Sequence, residues 1–509
     1  MSNNTSPAHA TNLHSLGSRN REIVSALLAT LLACIVLLTL LGHKPLTNWD
    51  EGIYAEISRE MLSSNPLVPH WNYQPWFEKP PLMPWITAVF FRLFGISEFW
   101  ARASSALSGV AIVTLLHAWL IGRKDALAAW LSTFILLSTF GFLHVCRVGE
   151  MDVLLSFGCC LALCGLTAIQ DRSRNGWYLF WAGLAIALMT KGAASIVLIL
   201  TVLFFAALER WNTKRLGKPF WLGLALFLLA ALPWHLYMAY RFGDSFLSGY
   251  LGFHVVARAT HQIEDHVTHW WYYFWVLLIS AAPFVLLYPF AMIDALRKKQ
   301  LRAWAVFALV VVGFFTIIQT RLPHYIAPAY PAFAIITSVF LADRLRALQQ
   351  RHPQTSASFW TKAAIFIVAT CLLSAWLTNG PRRRLHQAKV GPDIVSSEKE
   401  SIQLLREVFR QPQPVQGPLL VWWEGNARSI ATSVFYSQRP VQQIQLQPLP
   451  THTTTDKYLF QPIPIEEAVS AGPRLILLDR YLIQQIPAEF SYRQILSGRS
   501  MEVGIIAYR

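Results

Sequence analysis

Charge is what this chain has least of. Asp, Glu, Lys and Arg make up 14% of its 509 residues, whereas 54% are hydrophobic. A soluble domain of such length carries about a quarter charged residues, so the composition excludes an ordinary water-soluble enzyme and indicates a multi-pass membrane protein. The six cysteines, Cys34, Cys146, Cys159, Cys160, Cys164 and Cys371, lie in or beside apolar segments and spell neither a disulfide framework nor a zinc spacing. There is no internal repeat and no low-complexity tract. The apolar run at 23–42 is too long for a signal-peptide core and lacks a small-residue cleavage site, so it reads as a retained first helix.

Apolar windows recur at 23–42, 99–120, 126–144, 150–169, 177–190, 193–209, 219–240, 270–293, 303–319, 322–341 and 361–379. That makes about eleven spans, and about 11–13 with shorter stretches such as 82–95. The net charge of +15 does not point to nucleic acid, because the basic residues sit in short loops between the windows. With the N-terminus in the cytoplasm, the inner loops hold Arg19 and Arg21, Arg123 and Lys124, Arg172 and Arg174, Arg210 to Lys218, Arg297 to Arg302, and Arg344 to Arg351. Arg382, Arg383 and Arg384 fall outside, within a tail that is translocated whole. The chain thus divides into a cytoplasmic tail at 1–21, a membrane domain at 22–379 with outer loops 43–81 and 241–269, and a soluble extracytoplasmic domain at 380–509. In that last part "PLLVWW", "RLILLD" and "VGIIAY" read as strands of a small α/β fold.

Ionisable residues gather on the outer side, where charge beside lipid is costly and marks function. "DEGIYAEISREM" at 50–61 places Asp50 and Glu51 ahead of Ile53, Ile57 and Met61 at helical spacing, as in an amphipathic helix lying on the membrane. "WFEKPPLMPW" at 76–85 holds Glu78 and Lys79 before two prolines, which fix the backbone. Asp152 opens an apolar run, Lys191 sits in "MTKGA", His254 and Arg258 in "GFHVVARA", and His324 and Tyr325 in "LPHYIAPAYP". Singly, each suits a structural role: Asp50 and Asp152 as helix N-caps, Glu78 and Lys79 as an ion pair, Lys191 as an interfacial anchor. Together, acids beside cations suit displacement of a phosphate leaving group, with apolar helices around a long-chain lipid.

"DEGIYAEISREM", "FEKPP", "MTKG" and "RLPHYIAP", in that order between residues 22 and about 345, resemble the ArnT-like aminoarabinose transferases of lipid A and the related protein O-mannosyltransferases. The resemblance implies an all-α polytopic membrane protein of the GT-C type. It implies a polyprenyl-phosphate-linked sugar donor, a lipid or glycan acceptor, and transfer on the outer face of the cytoplasmic, or inner, membrane. It implies Asp50 as the base, with Glu51 and Asp152 also catalytic, and Lys79, Lys191, Arg258 and Tyr325 at the donor phosphate. It implies Glu78 near that phosphate or as ligand of a divalent metal, the one cofactor to be expected. Trp76, Gly52-Ile53 and "GFHVVAR" depart from the aminoarabinose pattern, which has Tyr, Thr-Arg and a Glu-His pair there, and these positions bear on the sugar. Two other classes remain open on the residues alone: a transporter or flippase of a polyprenyl-linked lipid, and a membrane-anchored scaffold working through its tail.

Overall fold

The computed structural model describes residues 7–47, 49–211, 216–257, 269–351, 369, 392–410, 412, 413, 415–422, 430–445 and 462–509. Among these, the first half of the chain runs through helices α1 (Pro7–Leu38), α2 (Asp50–Glu60), α3 (Leu82–Phe94), α4 (Glu98–Gly122), α5 (Ala126–Ser138), α6 (Phe140–Cys146), α7 (Asp152–Gln170), α8 (Gly176–Lys191), α9 (Ile196–Leu208) and α10 (Lys218–Phe242). Helices Tyr272–Ser280, Tyr288–Arg297, Arg302–Ile317 and Ala329–Arg351 complete the described bundle. Apart from residue 369, the expected window 361–379 lies outside the described residues, as do the arginines at 382–384.

Among the described residues six helical stretches are long and apolar enough to cross a membrane, eight if each bent pair is one span. Two expected spans are bent: α5 and α6 meet at 70°, and Tyr272–Ser280 meets Phe284–Arg297 at 118°. The extended backbone of Thr139 interrupts the first, and hydropathy windows carry no information about direction. The stretch Gly176–Leu208 satisfies the length test as one 33-residue unit. A straight helix of that length would put Trp177 and Trp211 about 50 Å apart, yet their rings lie 6.0 Å apart. The chain therefore turns back at 192–195, and α8 and α9 are two antiparallel passes, as the sequence windows have it. Gly192 permits the reversal: its φ of 52° and ψ of −117° suit a residue without Cβ.

Tight packing fixes the α7–α8 pair. A Cβ on Gly158 would lie 2.6 Å from the Gly183 carbonyl oxygen, and one on Gly165 2.5 Å from that of Gly176. Small residues let two backbones touch inside a bilayer, where lipid competes equally well for larger side chains.

Ion pairs mark one end of the bundle: Arg123–Asp171 at 2.6 Å, with Lys124–Glu22, Arg302–Glu209, Lys298–Asp343 and Arg346–Asp125. All lie in the loops that the charge rule assigns to one side. The 19 residues of α7 carry the chain about 28 Å from Asp171 to Asp152, so Asp152 and Lys191 stand at the opposite end.

The tail forms a six-stranded sheet in the order β5-β4-β3-β6-β8-β7. Its strands are β3 (Leu419–Trp422), β4 (Val441–Gln445), β5 (Ile463–Pro464), β6 (Arg474–Asp479), β7 (Phe490–Ser497) and β8 (Met501–Tyr508); β1 (His70–Trp71) and β2 (Gln74–Pro75) form a separate hairpin. Strands β3 to β6 run parallel and β7 and β8 antiparallel. The three apolar runs read from the sequence are β3, β6 and β8. Side chains alternate between faces with a period of two. Leu420, Ile476, Leu478 and Ile506 build one core, while Leu419, Val421, Leu477 and Val503 face helices 392–408 and 430–437.

This second face does not end at the tail. Ile53, Tyr54, Ile57 and Met61 of α2 and its C-terminus belong to the same apolar cluster as Leu405, Ala431 and Val434. The expected amphipathic helix lying on a membrane is corrected: nine of the eleven residues of α2 are buried, because its apolar face packs against the tail rather than against lipid. Its glutamates are held inside. Glu56 accepts from Arg59 Nε at 2.8 Å, and Glu60 accepts from the Tyr73 amide at 3.0 Å. Burial, with Glu56 nearby, pushes the Glu60 carboxyl up to about 8.

Candidate active site

Neither Asp50 nor Asp152 is a helix N-cap. Each is the first residue within its helix, preceded by Trp49 and Met151 in the cap position. A carboxylate there still meets the positive end of the helix dipole. Trp49 has a φ of 76°, left-handed backbone that a bulky residue rarely adopts. The chain is thus turned sharply into Asp50.

Lys79 Nζ donates to the hydroxyl of Tyr54, one turn beyond Asp50, and lies 4.8 Å from that ring's centre. Pro80 and Pro81 follow directly, and Pro81 caps α3, so the lysine rides on a rigid turn. Burial pushes the Tyr54 hydroxyl well above the usual tyrosine range, and the charges of Asp50, Glu78, Asp152 and Glu150 push the same way. Those four acids therefore face one buried hydroxyl, although their positions run from 50 to 152.

Across from them Lys191 Nζ donates to Asp152 Oδ1 at 2.6 Å and sits 5.0 Å from the centre of the Tyr325 ring. Both partners are largely buried. A desolvated pair of this kind is sustained by its mutual attraction and collapses if one member is removed. The Gly158 and Gly183 contact sets the spacing of the helix ends that carry it. Glu150, in the loop before α7, has its carboxyl pushed up to about 8, first by burial and then by Asp152 and Asp50. His324, in the turn Pro323–Ile326, experiences the charges of Asp152, Lys191, Asp50 and Lys79.

Glu51 lies apart from this group. Its Oε1 accepts from Arg102 Nε at 2.6 Å and from the Gly149 amide at 2.9 Å; its Oε2 accepts from the Thr47 amide at 2.6 Å, Thr47 Oγ1 at 2.9 Å and Arg102 at 3.0 Å. Five donors hold this carboxylate in place, a positioning arrangement. Arg102 also donates to the carbonyls of Leu41, Lys44 and Pro45, so this pair ties the α1–α2 connection to α4 and to the loop before Glu150.

Four of the sequence motifs thus converge at one end of the bundle, through Asp50, Lys79, Asp152 with Lys191, and Tyr325. Arg258 lies outside the described residues; the segment leading to it, Ser248–Ala257, packs Gly249 against Phe77, beside Glu78. Arg102, Tyr54 and Glu150 were not assigned from the sequence. An arginine near the start of an apolar window was the available signal for the first. For the other two there was none beyond nearness to a motif.

As to the metal, among the described residues the groups of three side chains suited to an ion reduce to Glu150, Asp152 and His324. Glu78 is not part of that group.

A bundle with apolar spans, a charged cluster at one end and a covering α/β domain defines a polytopic membrane protein of the GT-C type. The chain superposes on crystalline ArnT from Cupriavidus metallidurans bound to undecaprenyl phosphate with a TM-score of 0.72, over 94% of this chain and 97% of that one, at 19% identity. Residues 27–247 match the dolichyl-phosphate-mannose-protein mannosyltransferase family. An uncharacterised protein of Aquifex aeolicus is 31% identical over 59% of this chain and 69% of its own length. The undecaprenyl phosphate-alpha-4-amino-4-deoxy-L-arabinose arabinosyl transferase of Erwinia tasmaniensis is 31% identical over 61% of this chain and 58% of its own. The chain belongs to this family of ArnT-like GT-C membrane glycosyltransferases. The matched stretch spans less than two thirds of the Erwinia enzyme.

Proposed function

We propose that this protein transfers a glycosyl group, with inversion, from a polyprenyl-phosphate donor of the undecaprenyl type to a hydroxyl of an envelope lipid such as lipid A, at the outer face of the inner membrane. The observation that carries the reading is the convergence of Asp50 with Lys79 and the Lys191–Asp152 pair around Tyr54. Asp50 takes the proton of the acceptor hydroxyl as its oxygen attacks the anomeric carbon. The bond from that carbon to the phosphate oxygen breaks, and the electron pair leaves with the polyprenyl phosphate. Lys79 and Lys191 neutralise the departing charge, Tyr325 steadies Lys191 through its ring face, and Arg258 is assigned to the same phosphate. Asp152 holds Lys191 charged and aimed. The donor's linkage follows the Erwinia relative's name. Gathering of charge at one end does not favour a transporter, which would carry its site near the midplane.

A positioned base contributes about 10²–10⁴-fold. Membranes carrying Asp50→Asn should therefore transfer labelled sugar at least a hundredfold more slowly with the protein folded; parental activity would remove Asp50 as base. Mass spectrometry of envelope glycolipids from cells with and without the gene identifies the product, and unchanged spectra would refute the acceptor class.

A further inference from the structure

Trp49 is held in a conformation it would not choose. Its φ of 76° and ψ of −130° belong to backbone that glycine adopts and a bulky side chain avoids. Such a residue persists only where its surroundings leave it no alternative. The Trp49 side chain does not supply that restraint, since the residue is 38% exposed. The restraint comes from contacts on either side, and two of them are made by the tail.

Both come from the tail helix Ile430–Ser437. Before the turn, the Leu46 amide donates to the Tyr436 hydroxyl at 2.9 Å. Tyr436 in turn donates to Glu98 Oε1 at 2.9 Å, in the first turn of α4. After the turn, Gly52 lies against the backbone of the tail helix: a Cβ there would stand 3.2 Å from the carbonyl carbon of Ala431 and 3.3 Å from the Thr432 nitrogen. A glycine within a helix is less stable than alanine, so its place here answers this close approach rather than any need of α2. Phe435 packs in one cluster with Leu46 and Ala55. Asp50 therefore sits between two points fixed by one tail helix, while α4 holds the neighbouring Glu51 through Arg102.

We propose that helix Ile430–Ser437 is a positioning element for the transfer reaction: by clamping Leu46 and Gly52 it keeps the Trp49 turn in place and aims the Asp50 carboxylate at the acceptor hydroxyl. This role rests on the proposed reading of Asp50 as base. It gives the tail a part in the chemical step without requiring it to touch either substrate. A base acts on the transition state, so its misplacement lowers kcat and spares substrate affinity.

Full-length protein in detergent is compared with Tyr436→Phe, which deletes the hydroxyl, and Gly52→Ala, which adds the methyl. Steady-state transfer of labelled sugar from undecaprenyl phosphate to lipid A gives kcat and KM. Hydrogen–deuterium exchange, read by mass spectrometry without substrates, follows residues 46–53. Both variants should keep donor and acceptor KM within about twofold and lose about tenfold in kcat, as a displacement of up to about 1 Å can cost. Exchange over 46–53 should quicken about fivefold. Helix propensity alone predicts the opposite for Gly52→Ala, a firmer α2. Faster exchange with parental kcat, unchanged exchange, or KM raised with kcat kept would each overturn the proposal; the last would make the helix a substrate contact. Two substitutions of unlike kind keep the test decisive if one fails to fold. A parental protein that transfers no sugar would sink the transfer reading alone, and exchange over 46–53 would then decide whether the helix holds the turn. Parental transfer together with any of the overturning results would sink this inference alone.

Discussion

The acids of this protein divide by what surrounds them. Asp50 is half-buried at the mouth of a helix and shares its surroundings with two lysines. Glu51, its neighbour in sequence, is 2% exposed and fully engaged by Arg102 and two backbone amides. Sequence pattern could not separate them, because the distinction is made by Arg102, 51 residues away. Removing one partner of such a pair strands the other charge and costs about 3–5 kcal/mol. Glu51→Gln should accordingly lower the melting temperature in detergent strongly, while Asp50→Asn leaves it nearly unchanged and removes activity. Equal melting temperatures for the two variants would mean that Glu51 is not the anchor described.

At the scale of elements, the α7–α8 contact is what brings Asp152 and Lys191 together. Neither helix shows a polar stripe, so the partnership rests on glycine: Gly158 against Gly183, and Gly165 against Gly176. Gly158→Val would force the backbones apart, at a cost of about 1–3 kcal/mol for overpacking. The same displacement would open the Lys191–Asp152 pair. The expected result is a lowered melting temperature and a drop in transfer larger than the stability loss explains. Parental kinetics in the Gly158→Val variant would show that the ion pair tolerates wider spacing.

Much of this level was legible beforehand. Among the described residues hydropathy located the apolar passes, including the turn after Lys191, and loop charge told one end from the other. The bends within α5–α6 and Tyr272–Arg297 were not legible, since a window average is blind to direction. The burial of α2 was missed for a related reason. Its spacing shows one apolar face but not what covers it, and the covering residues lie more than 340 positions downstream.

Over the whole molecule, the tail is fastened to the loop that carries the site. Asn72 donates to the Val441 carbonyl at 3.0 Å and accepts from its amide at 2.8 Å. Tyr436 donates to Glu98 at 2.9 Å and accepts from the Leu46 amide at 2.9 Å, and Arg406 pairs with Glu98. Asn72→Ala deletes a reciprocal pair and leaves two backbone groups of Val441 unmatched, a loss of about 1–3 kcal/mol in local closure. Limited proteolysis within 430–445 should then run about tenfold faster or more, because cleavage follows the open population. Unchanged digestion would mean that the apolar contacts alone close the joint.

Since Ile53 and Ile57 are packed by Leu405, Ala431 and Val434, the segment around α2 and its roof form one interlocked piece. Relatives' tails cannot be grafted onto this bundle as interchangeable modules. A working hybrid must take residues 46–76 and the tail from the same parent.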